Sequence, residues 1–145
     1  MNFFGKANAM NKNTQIRWQQ RFDNFQMAFR QLEAACALDE YSELEFSGLI
    51  KSFEIAFEMA WKTLKDLLTF EGFDVNSPRT TIQQAFDSGL NGDLSPWIEA
   101  LESRNVLSHN YDKNAAAGAE AIIKGAFLPM LRGVMVTLRK RKDKK

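Results

Sequence analysis

The sequence predicts an all-α fold: an up-and-down antiparallel helical bundle of five helices with a four-helix core. Three observations carry that prediction. Apolar residues recur at helical spacing along almost the whole chain, and no segment alternates in the manner of a strand. Local start and stop signals cut this pattern into five stretches joined by short connections. Only three prolines interrupt the 145 residues.

The first helix is expected from about Thr14 to Leu38. Trp18, Phe22, Phe25, Phe29, Leu32 and Cys36 alternate steps of four and three and so form one stripe. The second opens at Ser42, where Ser42 and Glu45 have capping-box spacing, and runs to about Phe70. Its apolar face, from Leu49 through Phe53, Phe57 and Trp61 to Leu68, is wider than one partner helix requires. That suits a central helix, or one that also meets a second subunit. Gly72 ends it, being free to take positive φ. Ser77-Pro78 starts a short third helix, with Ser as N-cap, Pro at the first helical position and Ile82, Ala85 and Phe86 inward. Gly89 stops it and Asn91-Gly92-Asp93 is a turn. Ser95-Pro96 repeats the start signal for a fourth helix that carries Trp97, Ile98 and Leu101 and ends near His109 or Asn110. The fifth runs from about Asn114 to Leu138, and Pro129 should kink it by removing a backbone donor. Domain organisation follows: residues 1–13 a flexible N-terminus, 14–138 a single bundle domain, 139–145 a basic disordered tail.

Composition excludes several classes. Apolar residues make up 45% and charged residues 26%, ordinary values for a soluble globular chain. The N-terminal stretch has no apolar h-region of a signal peptide, and no apolar run approaches the ~20 residues that span a bilayer. A cytoplasmic protein with no membrane partner is the expectation. A single cysteine, Cys36, can neither close an internal disulfide nor build a metal site, and reads as a small core residue. The net charge of +1 hides an asymmetry: residues 139–145 hold six basic groups and one acid, leaving 13 basic and 17 acidic residues elsewhere. The tail is either a solvated end or an electrostatic hook for a polyanion. The body, at about −4, is not a nucleic-acid-coating surface.

The chemistry concentrates in Arg104-Asn105-Val106-Leu107-Ser108-His109-Asn110-Tyr111, which holds the only histidine in the chain. Asn105 and His109 are four apart and share a helix face, whereas Arg104 lies about 140° round from His109. A histidine at a helix C-terminus gains from the dipole as a cation and can act as acid or base near neutral pH. Arg104 stays charged and can grip a phosphate with two parallel hydrogen bonds, with Asn105 orienting phosphate or ring. This set suits metal-free RNA cleavage, in which a base takes the ribose 2′-hydroxyl proton and a cation stabilises the crowded phosphate. One histidine is thin for both proton roles; a dimer would supply two. The bland alternative has Arg104 pairing with Glu102 or Asp112 and Tyr111 sealing the base of the bundle.

Arg104, four residues, His109, one residue and Tyr111 resemble the Arg-x4-His-x-Tyr motif of the HEPN domain family. The wider chain is similar to the subgroup labelled nucleotidyltransferase substrate-binding. The matching stretches are Trp18 with Arg21-Phe22, the run from Gly48 to Glu54 and on through Trp61-Lys62, Pro78-Arg79 with Ala85-Phe86, Trp97, and the motif, together about residues 15 to 135. The resemblance implies a bundle that dimerises, with Arg104 and His109 at a cleft between subunits, and catalytic roles for Arg104, His109 and Asn105. It implies a metal-independent ribonuclease of toxin–antitoxin type, partnered by a minimal nucleotidyltransferase encoded nearby. That partner would transfer AMP to Tyr111 and so place a phosphate where the RNA phosphate should sit. An older view makes the bundle a substrate-binding subunit that completes the nucleotidyltransferase. Both imply the same partner.

Glu54, Glu58 and Lys62 stand at four-residue steps on the second helix, either as a solvated rail with i,i+4 support or as a contact strip for a partner. No histidine accompanies the two glutamates, so a carboxylate-bridged metal site is not expected. No Gly-rich phosphate loop is present, and no cofactor is expected.

Overall fold

A computed structural model describes the backbone at residues 3–109 and 113–144, and the side chains at residues 12–104 and 115–144. The elements are α1 Phe3–Cys36, α2 Glu43–Phe70, α3 Pro78–Asp87, α4 Leu94–His109, α5 Lys113–Ile122, a π-helical turn Ile123–Phe127, and α6 Leu128–Asp143. The last three run on without a break, so the described residues form five helical rods with no strand.

Local chemistry sets most boundaries. Ser42 caps α2: its hydroxyl accepts from the Glu45 N–H at 3.1 Å, and its own N–H donates to the Glu45 carboxylate at 3.0 Å. Ser77 caps α3, with Pro78 at the first helical position and Thr80 closing a second reciprocal box. Gly72 at φ +97° and Gly89 at φ +74° turn the chain out of α2 and α3, where a β-carbon would be strained. The start of α4 lies two residues ahead of the expected one. It begins at Leu94, which puts both Ser95 and Pro96 inside the first turn, where the proline's missing N–H has no partner to lose.

The core is the sum of the apolar stripes. Trp18, Phe22, Phe25, Phe29 and Leu32 of α1 are buried against Leu49, Phe53, Ala56, Ala60, Leu64 and Leu67 of α2. Full burial of each large apolar side chain contributes about 1.5–3 kcal/mol. Cys36 is only half-buried at the edge of this layer. Burial still pushes its thiol up, against the opposing charges of Lys124 and Arg132. α2 is central, packing on α1, α3, α4 and α6. Phe53 stacks on Phe127 with ring centroids 4.9 Å apart and planes 16° from parallel. Phe86, expected inward, is exposed. Thr81 is buried beside Ile82 and Ala85, which rotates the inward face of α3 away from Phe86.

Next to Pro129, which has no N–H to donate, the helix departs from α geometry. The Leu128 N–H reaches back five residues to the Ile123 carbonyl, and the π turn lies just ahead of the proline. The run Ala115–Asp143 is long and apolar enough to cross a membrane by length and composition, which the sequence reading did not anticipate. Its stripe of Ile123, Phe127, Leu131, Val134 and Leu138 is buried in the bundle.

The basic tail also departs from expectation. Residues 139–143 continue α6 instead of forming a disordered end. Arg141 pairs with Glu71, Lys142 meets Asp23 at 2.9 Å, and Arg139 donates to Gln26 at 3.2 Å. The body carries the excess acid, and part of it meets the tail's charge within the molecule. At the other end, helical backbone begins at Phe3, well ahead of the expected Thr14.

Candidate functional site at the seam of α2 and α4

Trp97 fixes α4. Its ring is fully buried, its indole N–H donates to the Asn91 carbonyl at 2.8 Å, and Asn91 donates in turn to the Ile82 carbonyl at 3.2 Å. The turn between α3 and α4 is thereby tied to both helices. Phe57 of α2 packs on Trp97 with centroids 5.9 Å apart, which sets the two helices side by side.

That contact determines where Arg104 goes. Arg104 is seven residues beyond Trp97, so it returns to nearly the same helix face two turns later. Here the core ends: the Arg104 side chain is 30% exposed and lies over α2. Glu58 follows Phe57 directly and meets it. Arg104 Nη1 stands 3.3 Å from Glu58 Oε2. Glu102 faces Arg79 across 3.8 Å in a well-exposed pair, and Asp112 lies outside the described residues.

Glu58 is held from three sides. Its Oε2 accepts from Arg104 and also from the Trp61 indole N–H at 2.9 Å, while its Oε1 faces Lys62 Nζ at 3.2 Å. Trp61 is nearly buried, so its indole is a fixed donor. Partial burial raises the Glu58 pKa, but the Trp61 and Lys62 hydrogen bonds and the charges of Lys62 and Arg104 outweigh it. The carboxyl therefore sits below its ordinary value of 4.5. Lys62 and Arg104 thus share one carboxylate, and Arg104 stands on the helix that continues to His109.

Of the residues singled out from the sequence, Arg104 is placed in full. α4 stays helical through His109, so Asn105 and His109 share a helix and a face by backbone register, and His109 is the last helical residue before the undescribed stretch. The side chains of Asn105 and His109 lie outside the described residues, as does Tyr111 altogether. Glu58 was expected on a charged rail or a partner-contact strip, not at the motif arginine. Its local signal was present, with Trp61 three and Lys62 four residues ahead. Its link to Arg104, 46 residues away, was not.

Residues 20–140 match the family described as "Nucleotidyltransferase substrate binding protein like". The chain is also 28% identical over 92 residues to a probable ribonuclease HepT of Haemophilus influenzae, covering 57% of this chain and 63% of that protein. The matched region thus spans less than two thirds of that relative.

Proposed function

Because the chain belongs to the HEPN-type family of nucleotidyltransferase substrate-binding proteins, we propose that it is the ribonuclease half of a cytoplasmic two-protein module with a minimal nucleotidyltransferase. Arg104, His109 and Asn105 form its catalytic set, RNA phosphodiesters are its substrate, and it works as a homodimer without metal or cofactor. Tyr111 is where the partner silences it by AMP transfer, in a toxin–antitoxin arrangement.

One observation carries the reading. The motif arginine sits at the seam of α2 and α4, held at 3.3 Å by Glu58 and still 30% open to solvent. It is neither lost in the core nor waving free. A guanidinium presented in that way can bind a phosphate, and the similar protein from Haemophilus influenzae bears the name of a probable ribonuclease. In the reaction, the ribose 2′-oxygen attacks phosphorus and the bond to the 5′-oxygen breaks. His109 of one subunit takes the 2′-hydroxyl proton, His109 of the other returns a proton to the leaving oxygen, and Arg104 stabilises the phosphorane charge.

The test is incubation of purified protein with total RNA and tRNA in excess chelator, beside Arg104→Ala and His109→Ala. Cleavage by the parent alone supports the reading. Intact RNA in every lane, with all three proteins folded, refutes it and favours the second reading, a non-catalytic subunit that presents substrate to the nucleotidyltransferase. The description of the matched family points toward that second role. Expression alone separates the two: a ribonuclease slows growth in a manner that Arg104→Ala relieves, and a binding subunit is harmless.

A further inference from the structure

We propose that the cleft between α1, the end of α2 and the loop that follows it binds a nucleotide of single-stranded RNA, with the phosphate on Arg17 and Lys65 and the base on Phe73. The proposal rests on the ribonuclease reading for the identity of the strand. It adds a place, away from Arg104, where that strand is held.

The cleft offers about 380 Å³, within the size range of sites that take small molecules. Local backbone sets its aromatic wall. Gly72, at φ +97°, turns the chain out of α2, and the Phe73 N–H returns to the Leu68 carbonyl at 2.9 Å. Val75 then enters the core, while Phe73 stays outside it with 39% of its surface exposed. A lone exposed phenylalanine is common; the cations beside it give this one a ligand. Arg17 and Lys65 line the same cleft, and among the described residues neither has an ion pair or a hydrogen bond. The neighbouring acids are engaged. Asp66 accepts from Arg21 Nε at 2.8 Å, and Asp74 accepts from Asn76 Nδ2 at 3.4 Å. Unpaired cations and an open ring in one groove are the means by which single-strand sites hold phosphate and base. Asp74 and Asn76, on the same loop as Phe73, add an acceptor and a donor for the edge of that base.

The position of Lys65 joins the cleft to the motif. Lys65 is seven residues beyond Glu58, so it lies on nearly the same face of α2, two turns on and about 10 Å along the axis. Arg104 meets α2 at Glu58. A stacked strand rises about 3.4 Å per nucleotide. RNA with its scissile phosphate at Arg104 therefore reaches the cleft about three nucleotides away. A contact so far from the reacting phosphorus is made equally in the ground and transition states. Its loss raises KM and leaves the chemical step alone.

The probe is a fluorescent single-stranded oligonucleotide with 2′-O-methyl groups, which has no free 2′-hydroxyl to attack phosphorus. Anisotropy follows its binding to the parent, Phe73→Ala, Phe73→Trp and the Arg17→Ala/Lys65→Ala double variant across a salt series, each protein first checked for helix content. Phe73→Ala should weaken binding by about fivefold to a hundredfold, and Phe73→Trp should retain it. The double variant should lower the slope of log affinity against log salt by about 0.7 per cation removed. With cleavable RNA the Phe73→Ala loss should appear in KM. If Phe73→Ala fails to fold, Phe73→Leu replaces it, keeping apolar bulk and removing the flat ring. Parent affinity and salt slope in the folded variants overturn the cleft as a strand site. So does a duplex that binds as well as the single strand. Displacement by AMP at the oligonucleotide's own concentration assigns the cleft to a free nucleotide and overturns the strand. A parent that binds the probe through Phe73 yet cuts no RNA overturns the ribonuclease reading alone, so the two failures are distinct.

Discussion

Arg104→Ala should abolish RNA cleavage while costing the fold little, and the structure sets the size of that cost. An ion pair at about 4 Å is worth about 4 kcal/mol at an effective dielectric of 20. Both partners here are about one-third open to solvent, at 30% and 36%. Screening and the lost freedom of two long side chains bring the pair to about 0.2–1 kcal/mol. Removing Arg104 does not strand Glu58, which keeps the Trp61 N–H and Lys62. The expected loss for Arg104→Ala is therefore about 1 kcal/mol or less, against the 5–15 kcal/mol usual for a domain. In melting temperature that is about 2–4 °C for a chain of this size. The assay is urea denaturation followed by helical circular dichroism on the parent, Arg104→Ala, Glu58→Gln and the double variant. The cycle should return a coupling of about 0.2–1 kcal/mol with an unchanged m-value. A loss above about 2 kcal/mol, or a changed m-value, would show that Arg104 holds the bundle together. Lost RNA cleavage in that variant would then say nothing about chemistry.

Other expectations follow from the same structure. Phe127→Ala, at a fully buried ring stacked on Phe53, should cost about 3–5 kcal/mol, and a Phe53/Phe127 cycle should show coupling of about 0.5–1.5 kcal/mol by urea titration. Glu58 has a folded pKa below its ordinary 4.5, so its stabilisation is present above that value and lost as pH falls through the folded pKa. The stability gap between parent and Glu58→Gln should be widest near neutral pH and close on acidification below about 4.5; a gap that widens in acid would refute the assignment. Cys36, its thiol raised by burial, should react with a thiol reagent at pH 7 more slowly than free cysteine, and a faster reaction would contradict that environment.

What was legible in the sequence is what lies within one helical turn. Ser42 and Glu45 satisfy each other across three residues, and Ser77 stands just before Pro78, so both caps can be read directly and the structure shows both. Gly72 and Gly89 carry positive φ because each ends a helix on the spot. The stripes of α1 and α2 were legible for a similar reason: burial of one face imposes a period that survives in the residue order. The Arg-x4-His-x-Tyr spacing belongs to the same class, being a pattern within eight consecutive residues.

Tertiary structure decided everything that depends on the rotation of one helix against another. The sequence offered Arg104 only Glu102 and Asp112 within local reach, and Glu58, 46 residues away, meets it because Phe57 against Trp97 places α2 beneath α4 at that turn. The tail had composition enough to be a loose end, and partners from α1 and the end of α2 make it the last turns of α6. Phe86 had the right hydrophobicity and the wrong azimuth once Thr81 was buried. A capping bond spans three residues and is fixed by local backbone geometry. A long charged side chain chooses among partners several ångströms away, and which of them is near is known only when the core has set the helices.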